Sequence, residues 1–263
     1  MSDQAPDPAP EPAVLTERRD RVLLVTLNRP DQRNAINAAV AQGIAAALDE
    51  LDADTALSVG VLAGAGKGFC SGMDLKAFVA GESPVVQGRG FAGITQRAAD
   101  KPLIAAVEGF AVAGGLEVAI ACDLIVAARG ARLGIPEVKR SLVAAGGGLL
   151  RLPRMLPRNI AMEMALTGDF ISAERAAELG LVNRLADAGG ALDAALELAG
   201  AIAANGPLAL AATKRILTES VDWPDAEFFA RQEAIAAPVR DSQDAREGAT
   251  AFAEKRAPQW KGR

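Results

Sequence analysis

PLIAAVEGFAVAGGLEVAIACDLIVAA, residues 102–128, is the stretch of this 263-residue chain that decides the fold. Its two ends, 102–109 and 122–128, are short apolar runs of the kind that form buried strands. Between them, a Gly-Gly pair at 114–115 precedes an apolar segment that we predict to be a helix ending near Ala121. Because strand and helix signals alternate, the stretch predicts an α/β core.

The same alternation extends on both sides of this stretch. Apolar runs predict strands, apolar residues at helical spacing predict helices, and glycine-rich segments predict loops. After residue 159 the helix signals dominate, so we expect the α/β core to be followed by a helical C-terminal region. The predicted elements are strands 21–28 and 57–63; helices 36–51, 73–80, 91–100, 159–166, 173–179, 191–204, 207–218, 225–236 and 243–256; and loops 64–72 and 81–90.

The composition excludes several kinds of chemistry. The chain contains no histidine and no tyrosine, so Ser-His-Asp catalysis, Cys-His catalysis and histidine-based metal sites are excluded in their usual forms. An enzyme of this composition must transfer protons with carboxylates, lysines, cysteines or water. The two cysteines, Cys70 and Cys122, lie in apolar surroundings without metal-ligand spacing, and we expect both to be buried and reduced.

Charge and hydropathy limit the partners that the chain can have. The net charge is −5 and no basic stripe is present, which argues against a nucleic-acid partner. No apolar run is long enough for a membrane helix, and the N-terminus lacks the pattern of a secretory signal. We therefore expect a cytoplasmic protein without a membrane partner. Residues 1–13 are rich in proline, alanine and acids and are predicted to form a disordered tail.

Two carboxylates are candidates for acid/base chemistry. Glu117 is the only charge in the apolar segment 110–122, so we expect it in or beside the core with a raised pKa. Glu137 follows Pro136 after the next predicted strand. For each residue an alternative stays open, in which it is a first-turn acid that satisfies backbone donors and the helix dipole. Their spacing does not show whether the two side chains meet.

The glycine-rich segments 64–72 and 145–148 do not match nucleotide-binding loops. A P-loop requires serine or threonine after its lysine, and neither follows Lys67. Glycine also lets the main chain approach a ligand closely. Main-chain N–H groups next to Gly72 and in the pair 114–115 would form an oxyanion hole if both pointed at one oxygen. The alternative is that these glycines serve turns and helix–strand packing.

Five segments, in order, resemble the signature segments of the crotonase, or enoyl-CoA hydratase/isomerase, superfamily. The resemblance runs from about residue 14 to the end. It implies a crotonase-like spiral of ββα units over 14–204 and a helical C-terminal trimerisation region over 205–263, in a homotrimer or a hexamer of paired trimers. The segments are NRPDQRNAIN (28–37), GKGFCSGMDLKAF (66–78), PLIAAVEGFAVAGGLEVAIACDLIVAA (102–128), GIPEVKRSLVAAGGGLLRLPR (134–154) and REGATAFAEKRAPQWKG (246–262).

The resemblance also implies an acyl-CoA thioester as the substrate, with no metal or redox cofactor. The thioester oxygen would accept hydrogen bonds from the main-chain N–H groups of Met73 and Gly114. The CoA moiety would contact residues at other motif positions. These are Ala35 through its backbone, Asp74, Leu75 and Lys76 near the adenine, and Lys255 from a neighbouring subunit.

Glu117 and Glu137 match both positions at which the hydratase branch of this superfamily has catalytic glutamates. The resemblance therefore implies an enoyl-CoA hydratase in which the pair holds a water molecule, with Glu117 as the base and Glu137 as the proton donor. The loop after Glu137 departs from the usual pattern, because VAAGGG at 143–148 lacks its first glycine. This departure at Ala144–Ala145 is compatible with a specialised acyl group.

Other functions remain open at this point. An enoyl-CoA isomerase needs one proton shuttle, and a hydroxyacyl-CoA dehydratase would run the hydratase reaction in reverse. A non-catalytic or RNA-binding member of the superfamily is disfavoured by the sparse lysines and the acidic net charge. A peptidase of the related fold is disfavoured because no histidine is present to activate a serine.

Overall fold

The structure, a computed structural model, describes residues 11–263. Most of the predicted N-terminal tail, residues 1–10, lies outside this range. Residues 11–13 lie against Asn28, whose main-chain N–H donates a hydrogen bond of 2.8 Å to the carbonyl oxygen of Ala13.

The described residues form eleven strands and ten α-helices, with four short 3-10 helices. The strands are β1 Val14–Arg19, β2 Val22–Leu27, β3 Val59–Gly64, β4 Val85–Val86, β5 Gly90–Phe91, β6 Leu103–Val107, β7 Phe110–Val112, β8 Leu124–Ala128, β9 Arg132–Gly134, β10 Ile171–Ser172 and β11 Arg184–Ala186. The α-helices are α1 Ala38–Ala53, α2 Leu75–Val79, α3 Gly114–Ala119, α4 Gly148–Met155, α5 Arg158–Thr167, α6 Ala173–Glu178, α7 Ala191–Ala203, α8 Pro207–Glu219, α9 Phe228–Arg240 and α10 Gln243–Glu254. The 3-10 helices are Pro30–Gln32, Pro136–Arg140, Ser220–Asp222 and Asp225–Glu227.

A six-stranded sheet runs through the core in the order β1-β2-β3-β6-β8-β11. β1 is antiparallel to β2, and every other neighbouring pair in this sheet is parallel. The central strands are apolar on both faces, as expected when both faces of a parallel sheet are covered. Alternate residues of β2 show this, because Leu23 and Val25 pack into one apolar cluster while Val22 and Leu24 pack into another.

A second layer of short extended segments gives the fold its spiral. After β6 the chain adds β7 to a three-stranded sheet and then forms α3, and after β8 it adds β9 to the same sheet. The segments that follow β2 and β3 make isolated bridges, Ile36 to Met73 and Cys70 to Ala111, before α1 and α2 begin. Each turn therefore has a strand in the large sheet, a short extended segment in the second layer and a helix. This ββα repeat confirms the predicted fold class.

The helices cover the large sheet on both faces. α7 places its alanines at 195, 199 and 203 against one face, where they share a cluster with Ile104. α1 covers the other face with Ile44, Leu48 and Leu51. Asn37 starts α1 by accepting a hydrogen bond from the main-chain N–H of Val40 at 3.1 Å, which satisfies one of the unpaired donors of the first turn.

A few specific contacts hold the C-terminal region after α7 in place. The indole N–H of Trp260 donates to the carbonyl oxygen of Ala204 at 2.8 Å, and the carboxylate of Asp244 accepts from the main-chain N–H groups of Lys261 and Gly262. Much apolar surface of the helices α8 to α10 stays exposed, including Phe252. The predicted boundary between 204 and 205 falls in the short connection between α7 and α8, and the division into two domains stays a prediction.

The prediction of a helix at 91–100 is wrong. This segment begins with the end of β5 and continues as turns and bends. Gly93 has a φ of +70° and packs against α1 so closely that an added Cβ would lie 2.3 Å from the carbonyl oxygen of Ala41. Ala92 also has a positive φ, of 55°. The packing on α1 therefore overrides the local helix signal.

Other differences are smaller. Strand β1 is missing from the predicted elements because five of its six residues are exposed, and a polar edge strand carries no apolar run. The segment after residue 159 is interrupted by the short strands β10 and β11. The predicted helix at 225–236 begins as a 3-10 helix and becomes α-helical only at Phe228.

Within residues 11–263, none of the helices has by itself the length and apolar character needed to cross a bilayer. One pair of helices meets that test in combination, Ala191–Ala203 with Pro207–Asp222, and its two halves are bent by 107°.

The Asp123–Lys214 ion pair joins α8 to the core. The ammonium group of Lys214 donates to the Asp123 carboxylate at 2.7 Å and to the carbonyl oxygen of Lys101 at 2.9 Å. The same carboxylate accepts from the main-chain N–H of Leu103 at 2.8 Å. Burial raises the pKa of Asp123 even though Lys214 opposes this rise.

We predict that Lys214→Met lowers the free energy of unfolding by about 1–2 kcal/mol, because it removes the charged hydrogen bonds to a partly exposed carboxylate and to the carbonyl oxygen of Lys101. The control is Arg215→Met on the same helix, which removes an exposed pair with Glu219 and is expected to cost at most about 0.5 kcal/mol. Urea unfolding of both variants measures the difference. Equal effects of the two substitutions would contradict the prediction.

Candidate active site

A cavity of about 880 Å³ lies where α3, the 3-10 helix at 136–140 and the segments before α2 and α4 meet. Its wall contains both candidate glutamates and both candidate oxyanion-hole residues. The wall also contains apolar side chains and several basic ones. The residues used below are Arg33, Met73, Leu75, Phe91, Gly114, Glu117, Arg132, Glu137, Lys139, Arg140, Val143, Gly146 and Phe170.

Two main-chain segments, 70–73 and 111–115, cross at the centre of this wall. The main-chain N–H of Val112 donates to the carbonyl oxygen of Cys70 at 3.0 Å. A Cβ on Gly115 would lie 2.2 Å from that same oxygen, and a Cβ on Gly72 would lie 3.0 Å from the main-chain nitrogen of Gly114. Only glycine permits an approach this close, so the glycines at these positions serve the crossing.

The crossing leaves two main-chain donors free. In the hydrogen-bond network of residues 11–263, the N–H groups of Met73 and Gly114 donate to no protein acceptor, and both residues line the cavity. Ala113 directs the second donor, because its φ of 54° and ψ of −131° turn the chain sharply before α3 begins. Its own N–H donates to the carbonyl oxygen of Gly134 at 2.9 Å. Two neighbouring free N–H groups can bind one oxyanion.

Glu117 lies one turn into α3 and is only 3 % exposed. Its Oε1 accepts a hydrogen bond of 2.8 Å from the main-chain N–H of Gly148. A Cβ on Gly146 would lie 2.5 Å from Oε2, so the glycine loop wraps closely around the carboxylate. Burial raises the pKa of Glu117, and hydrogen bonds from Gly148 and Gly146 and the charge of Arg151 oppose this rise.

Glu137 is the second residue of its 3-10 helix, after Pro136. Its Oε2 is buried and has no hydrogen-bond partner within the described part of the chain. Burial raises the pKa of Glu137 to about 6, and the negative charge of Glu117 adds to the rise, while its own main-chain N–H and Arg140 oppose it. Both carboxyl groups line the same cavity, and the charge of Glu117 acts on Glu137 there.

The structure brings together five of the nine predicted site residues. Met73, Leu75, Gly114, Glu117 and Glu137 line the cavity, whereas Ala35, Asp74, Lys76 and Lys255 do not.

Asp74 and Ala35 make contacts within the chain instead. The Asp74 carboxylate caps α2 by accepting from the N–H groups of Lys76 and Ala77, and it forms a 2.9 Å ion pair with Arg29. Burial raises the pKa of Asp74, but these hydrogen bonds and the ion pair outweigh it and hold the pKa below its usual value. The carbonyl oxygen of Ala35 accepts from Arg29 at 2.6 Å.

A set of basic residues that lines the cavity, here called the basic rim, was absent from the predicted site residues. It consists of Arg33, Arg132, Lys139 and Arg140. The Arg132 guanidinium lies over the Phe170 ring, 4.5 Å from its centroid, in a cation–π contact. Lys139 forms a 2.6 Å ion pair with Asp169. A rim of this charge attracts an anionic ligand such as a phosphate.

Both cysteines are free and buried, as predicted. Burial raises the pKa of Cys70 to about 12 and that of Cys122 still further, so both remain thiols at neutral pH. In the described residues, no group of three or more histidine, cysteine, aspartate or glutamate side chains is arranged to hold a metal ion.

Comparisons with known proteins agree with this geometry. The family model described as enoyl-CoA hydratase/isomerase matches residues 17–263. The chain is 43 % identical to the enoyl-CoA hydratase EchA19 of Mycobacterium tuberculosis, over 96 % of the chain and 97 % of the relative. It is 42 % identical to a carnitinyl-CoA dehydratase of Salmonella typhi, over 94 % of the chain and 97 % of the relative.

A solved structure of an enoyl-CoA hydratase from Mycobacterium tuberculosis H37Rv superposes with a TM-score of 0.95 at 62 % identity, over 96 % of this chain and 100 % of that one. This chain therefore belongs to the enoyl-CoA hydratase/isomerase family of the crotonase superfamily. The predictions of this superfamily and of an enzyme are confirmed.

We predict that Glu137→Gln raises the free energy of unfolding at pH 8 by about 1–2 kcal/mol and leaves it unchanged near pH 4. Folding raises the pKa of this carboxyl group from 4.5 to about 6, so the folded state binds more protons than the unfolded state between these values. The wild type therefore loses stability as the pH rises through that window, and the neutral amide does not.

Urea unfolding between pH 4 and pH 8 measures this difference. Glu163→Gln, which changes an exposed carboxylate on α5, is the control and is expected to shift stability little at any pH. A Glu137→Gln stability change that is the same at pH 4 and pH 8 would contradict the prediction.

Proposed function

We propose that this protein is an enoyl-CoA hydratase, which adds water reversibly across the 2,3 double bond of an enoyl-CoA thioester. One observation supports this proposal most strongly. The carboxylates of Glu117 and Glu137 share a cavity with the free N–H groups of Met73 and Gly114. Hydration requires an acid/base pair beside a site that stabilises negative charge on the thioester oxygen, and the cavity contains both.

In this proposal the thioester oxygen accepts hydrogen bonds from Met73 and Gly114. Negative charge develops on that oxygen as water adds to C3, and the two donors stabilise the resulting enolate. The N-terminus of α3 points the positive end of its dipole at the same place. Loss of one such donor typically lowers the rate by about 10²–10³.

The two glutamates hold the attacking water between them. The ionised Glu117 takes the proton from the water as it attacks C3, and the protonated Glu137 gives a proton to C2. Glu117 suits the role of base because Gly148 and Gly146 stabilise its carboxylate. Glu137 suits the role of acid because its pKa of about 6 keeps part of it protonated near neutral pH.

The CoA moiety lies along the basic rim, with its phosphates near Arg33 and Arg132. Leu75 contacts the CoA from the cavity wall. We extend the proposal to Ala35, Asp74 and Lys76, which would lie beside the adenine end of the CoA. Lys255, which ends α10, would reach the CoA phosphates of a neighbouring subunit in a homotrimer or hexamer. The reaction needs no cofactor, and the two free cysteines fit a reducing compartment such as the cytoplasm.

We predict that Glu117→Gln and Glu137→Gln each lower the rate of crotonyl-CoA hydration by about 10²–10⁴, because each removes one acid/base group. The absorbance of the conjugated thioester measures the reaction. Glu163→Gln, on the surface of α5, is the control and should keep full activity.

The same variants distinguish hydration from isomerisation. An enoyl-CoA isomerase moves one proton between carbons and needs a single carboxylate for this step. If Glu117→Gln retained full turnover while Glu137→Gln lost it, the protein would be an isomerase and the hydratase proposal would fail.

We also predict a bell-shaped pH profile of kcat/KM, with activity falling as the pH rises through about 6. The active form has one proton shared by the pair, with Glu117 ionised and Glu137 protonated. Raising the pH above the pKa of Glu137, about 6, removes this proton. Steady-state rates between pH 4.5 and pH 9 test the profile, and a rate that stays constant from pH 5 to pH 8 would contradict it.

A hydroxyacyl-CoA dehydratase is the second candidate function. The 42 % identity to a carnitinyl-CoA dehydratase supports it, and a reversible hydratase uses the same groups in the opposite direction. The singly protonated pair serves both directions, because exchanging the proton between Glu117 and Glu137 converts one role into the other. Assays with enoyl-CoA and 3-hydroxyacyl-CoA substrates compare the two directions.

A further inference from the structure

The N–H of Met73 lies in a bridge between two segments that are distant in the sequence. Ile36 pairs in parallel with Met73. The main-chain N–H of Ile36 donates to the carbonyl oxygen of Gly72 at 2.8 Å, and that of Asp74 donates to the carbonyl oxygen of Ile36 at 2.9 Å. These two hydrogen bonds hold the residues on either side of Met73. The direction of the Met73 N–H therefore depends on the position of Ile36.

One arginine joins the two sides of this bridge. Nη1 of Arg29 donates to the carbonyl oxygen of Ala35 at 2.6 Å, and Nη2 forms an ion pair of 2.9 Å with the carboxylate of Asp74. Ala35 directly precedes Ile36, and Asp74 directly follows Met73. A guanidinium presents its donors in a fixed planar fork, so it fixes the spacing between these two acceptors. We call the contacts of Arg29 with Ala35 and Asp74 the arginine clamp.

The arginine clamp is itself held firmly by the core. The main-chain N–H of Arg29 donates to Oδ1 of Asn34 at 3.0 Å, and the N–H of Asn34 donates to the carbonyl oxygen of Arg29 at 2.8 Å. Asn34 is buried, and its amide donates to the carbonyl oxygens of Ala65 and Gly68. The side chains of Arg29 and Asp74 are only 19 % and 13 % exposed. Solvent therefore competes little for this charge-assisted contact.

Arg29 acts on the site from outside the cavity. It is not one of the residues that line the cavity, so it can affect a bound thioester only through the bridge that it holds. The donor at Gly114 depends on other contacts, because Ala113 before it donates to the carbonyl oxygen of Gly134. Loss of the clamp would therefore move one donor relative to the other. A displacement of about 0.5 Å is enough to matter at a catalytic site.

We propose that Arg29 is a positioning residue of the oxyanion hole, because the arginine clamp holds the N–H of Met73 in register with that of Gly114. This inference rests on the proposed function, in which both N–H groups bind the thioester oxygen. It gives the ion pair of Arg29 with Asp74 a part in the reaction in addition to the capping of α2 by Asp74. It also makes one side chain necessary for a site whose donors belong to the main chain.

The variant Arg29→Met removes both contacts of the clamp with a side chain of similar length. We expect kcat for crotonyl-CoA hydration to fall by about 10–100-fold, because the main-chain hydrogen bonds of the bridge remain and the donor is displaced rather than lost. The Kd of free coenzyme A, which has no thioester oxygen, is expected to change by less than about threefold. Steady-state kinetics and isothermal titration calorimetry measure the two quantities.

A chromophoric thioester reports on the two donors without turnover. The probe is a cinnamoyl-CoA with a para-dimethylamino group, whose long conjugation disfavours hydration. Donors that draw electron density towards the thioester oxygen move its absorbance to longer wavelength when it binds. We expect Arg29→Met to lose at least about half of the red shift that the wild type produces, because one donor no longer points at the oxygen.

Two further variants separate this role from a general loss of stability. Lys214→Met also removes a cation that bonds one carboxylate and one main-chain carbonyl group, but on α8, and should keep the wild-type kcat and red shift. Arg29→Lys keeps a charge beside Asp74 without the planar fork, and should lower kcat by about threefold to tenfold. This milder variant also provides the test if Arg29→Met fails to fold.

A wild-type kcat and red shift in the Arg29 variants would overturn the proposal. So would a full red shift together with a fall in coenzyme A affinity, since Arg29 would then support α2 rather than the donor at Met73. If the wild type hydrates no enoyl-CoA, yet Arg29→Met loses the red shift that the wild type shows, the clamp positions the donor and the hydratase proposal fails.

Discussion

The crossing of segments 70–73 and 111–115 is the contact on which the rest of the site depends. It joins the turn before α2 to the turn before α3 by the hydrogen bond between Val112 and Cys70. The glycines at 72 and 115 allow the two main chains to come this close. The free N–H groups, the start of α3 and the position of Glu117 one turn later all follow from this crossing. The oxyanion site is therefore a property of the main chain.

The second constraint is electrostatic. Glu117 is buried in an apolar helix and forms no ion pair with any residue of 11–263, and the main chain of the loop 146–148 supplies its hydrogen bonds. Glu137 lies near enough for the two charges to repel each other. A buried carboxylate and a half-buried one that interact cannot both be ionised without a cost in stability. The same arrangement favours a single shared proton, which is the form that acid/base chemistry requires.

The sequence predicted the parts of the fold that local signals determine. Apolar runs identified the central strands, and the lone charge in 110–122 identified a buried Glu117. Parts that depend on tertiary contacts were missed. The segment 91–100 has helix-forming residues, but Gly93 packs on α1 and prevents a helix. The three-residue strands β7 and β9 are too short for a periodic signal.

Sequence motifs predicted several residues of the candidate site. Contacts between side chains that are distant in the sequence could not be predicted. Arg132 stacks on Phe170, thirty-eight positions later in the chain, and no spacing indicates such a contact. Ala113 has a positive φ directly before α3 begins, and a residue with a Cβ gives no sign of this conformation in the sequence. Arg33 lines the cavity, whereas the motif pointed to Ala35.

The two halves of the site respond differently to changes in sequence. One half consists of main-chain N–H groups, which would stabilise the enolate oxygen, and of two carboxylates, which would transfer protons. Few substitutions can alter the chemistry of this half without abolishing activity. The half that would contact the acyl group consists of side chains from the loop around Phe91 and from 142–166. Changes of size there leave the crossing and the glutamates in place. A single scaffold of this kind can therefore keep one reaction while its acyl substrate changes.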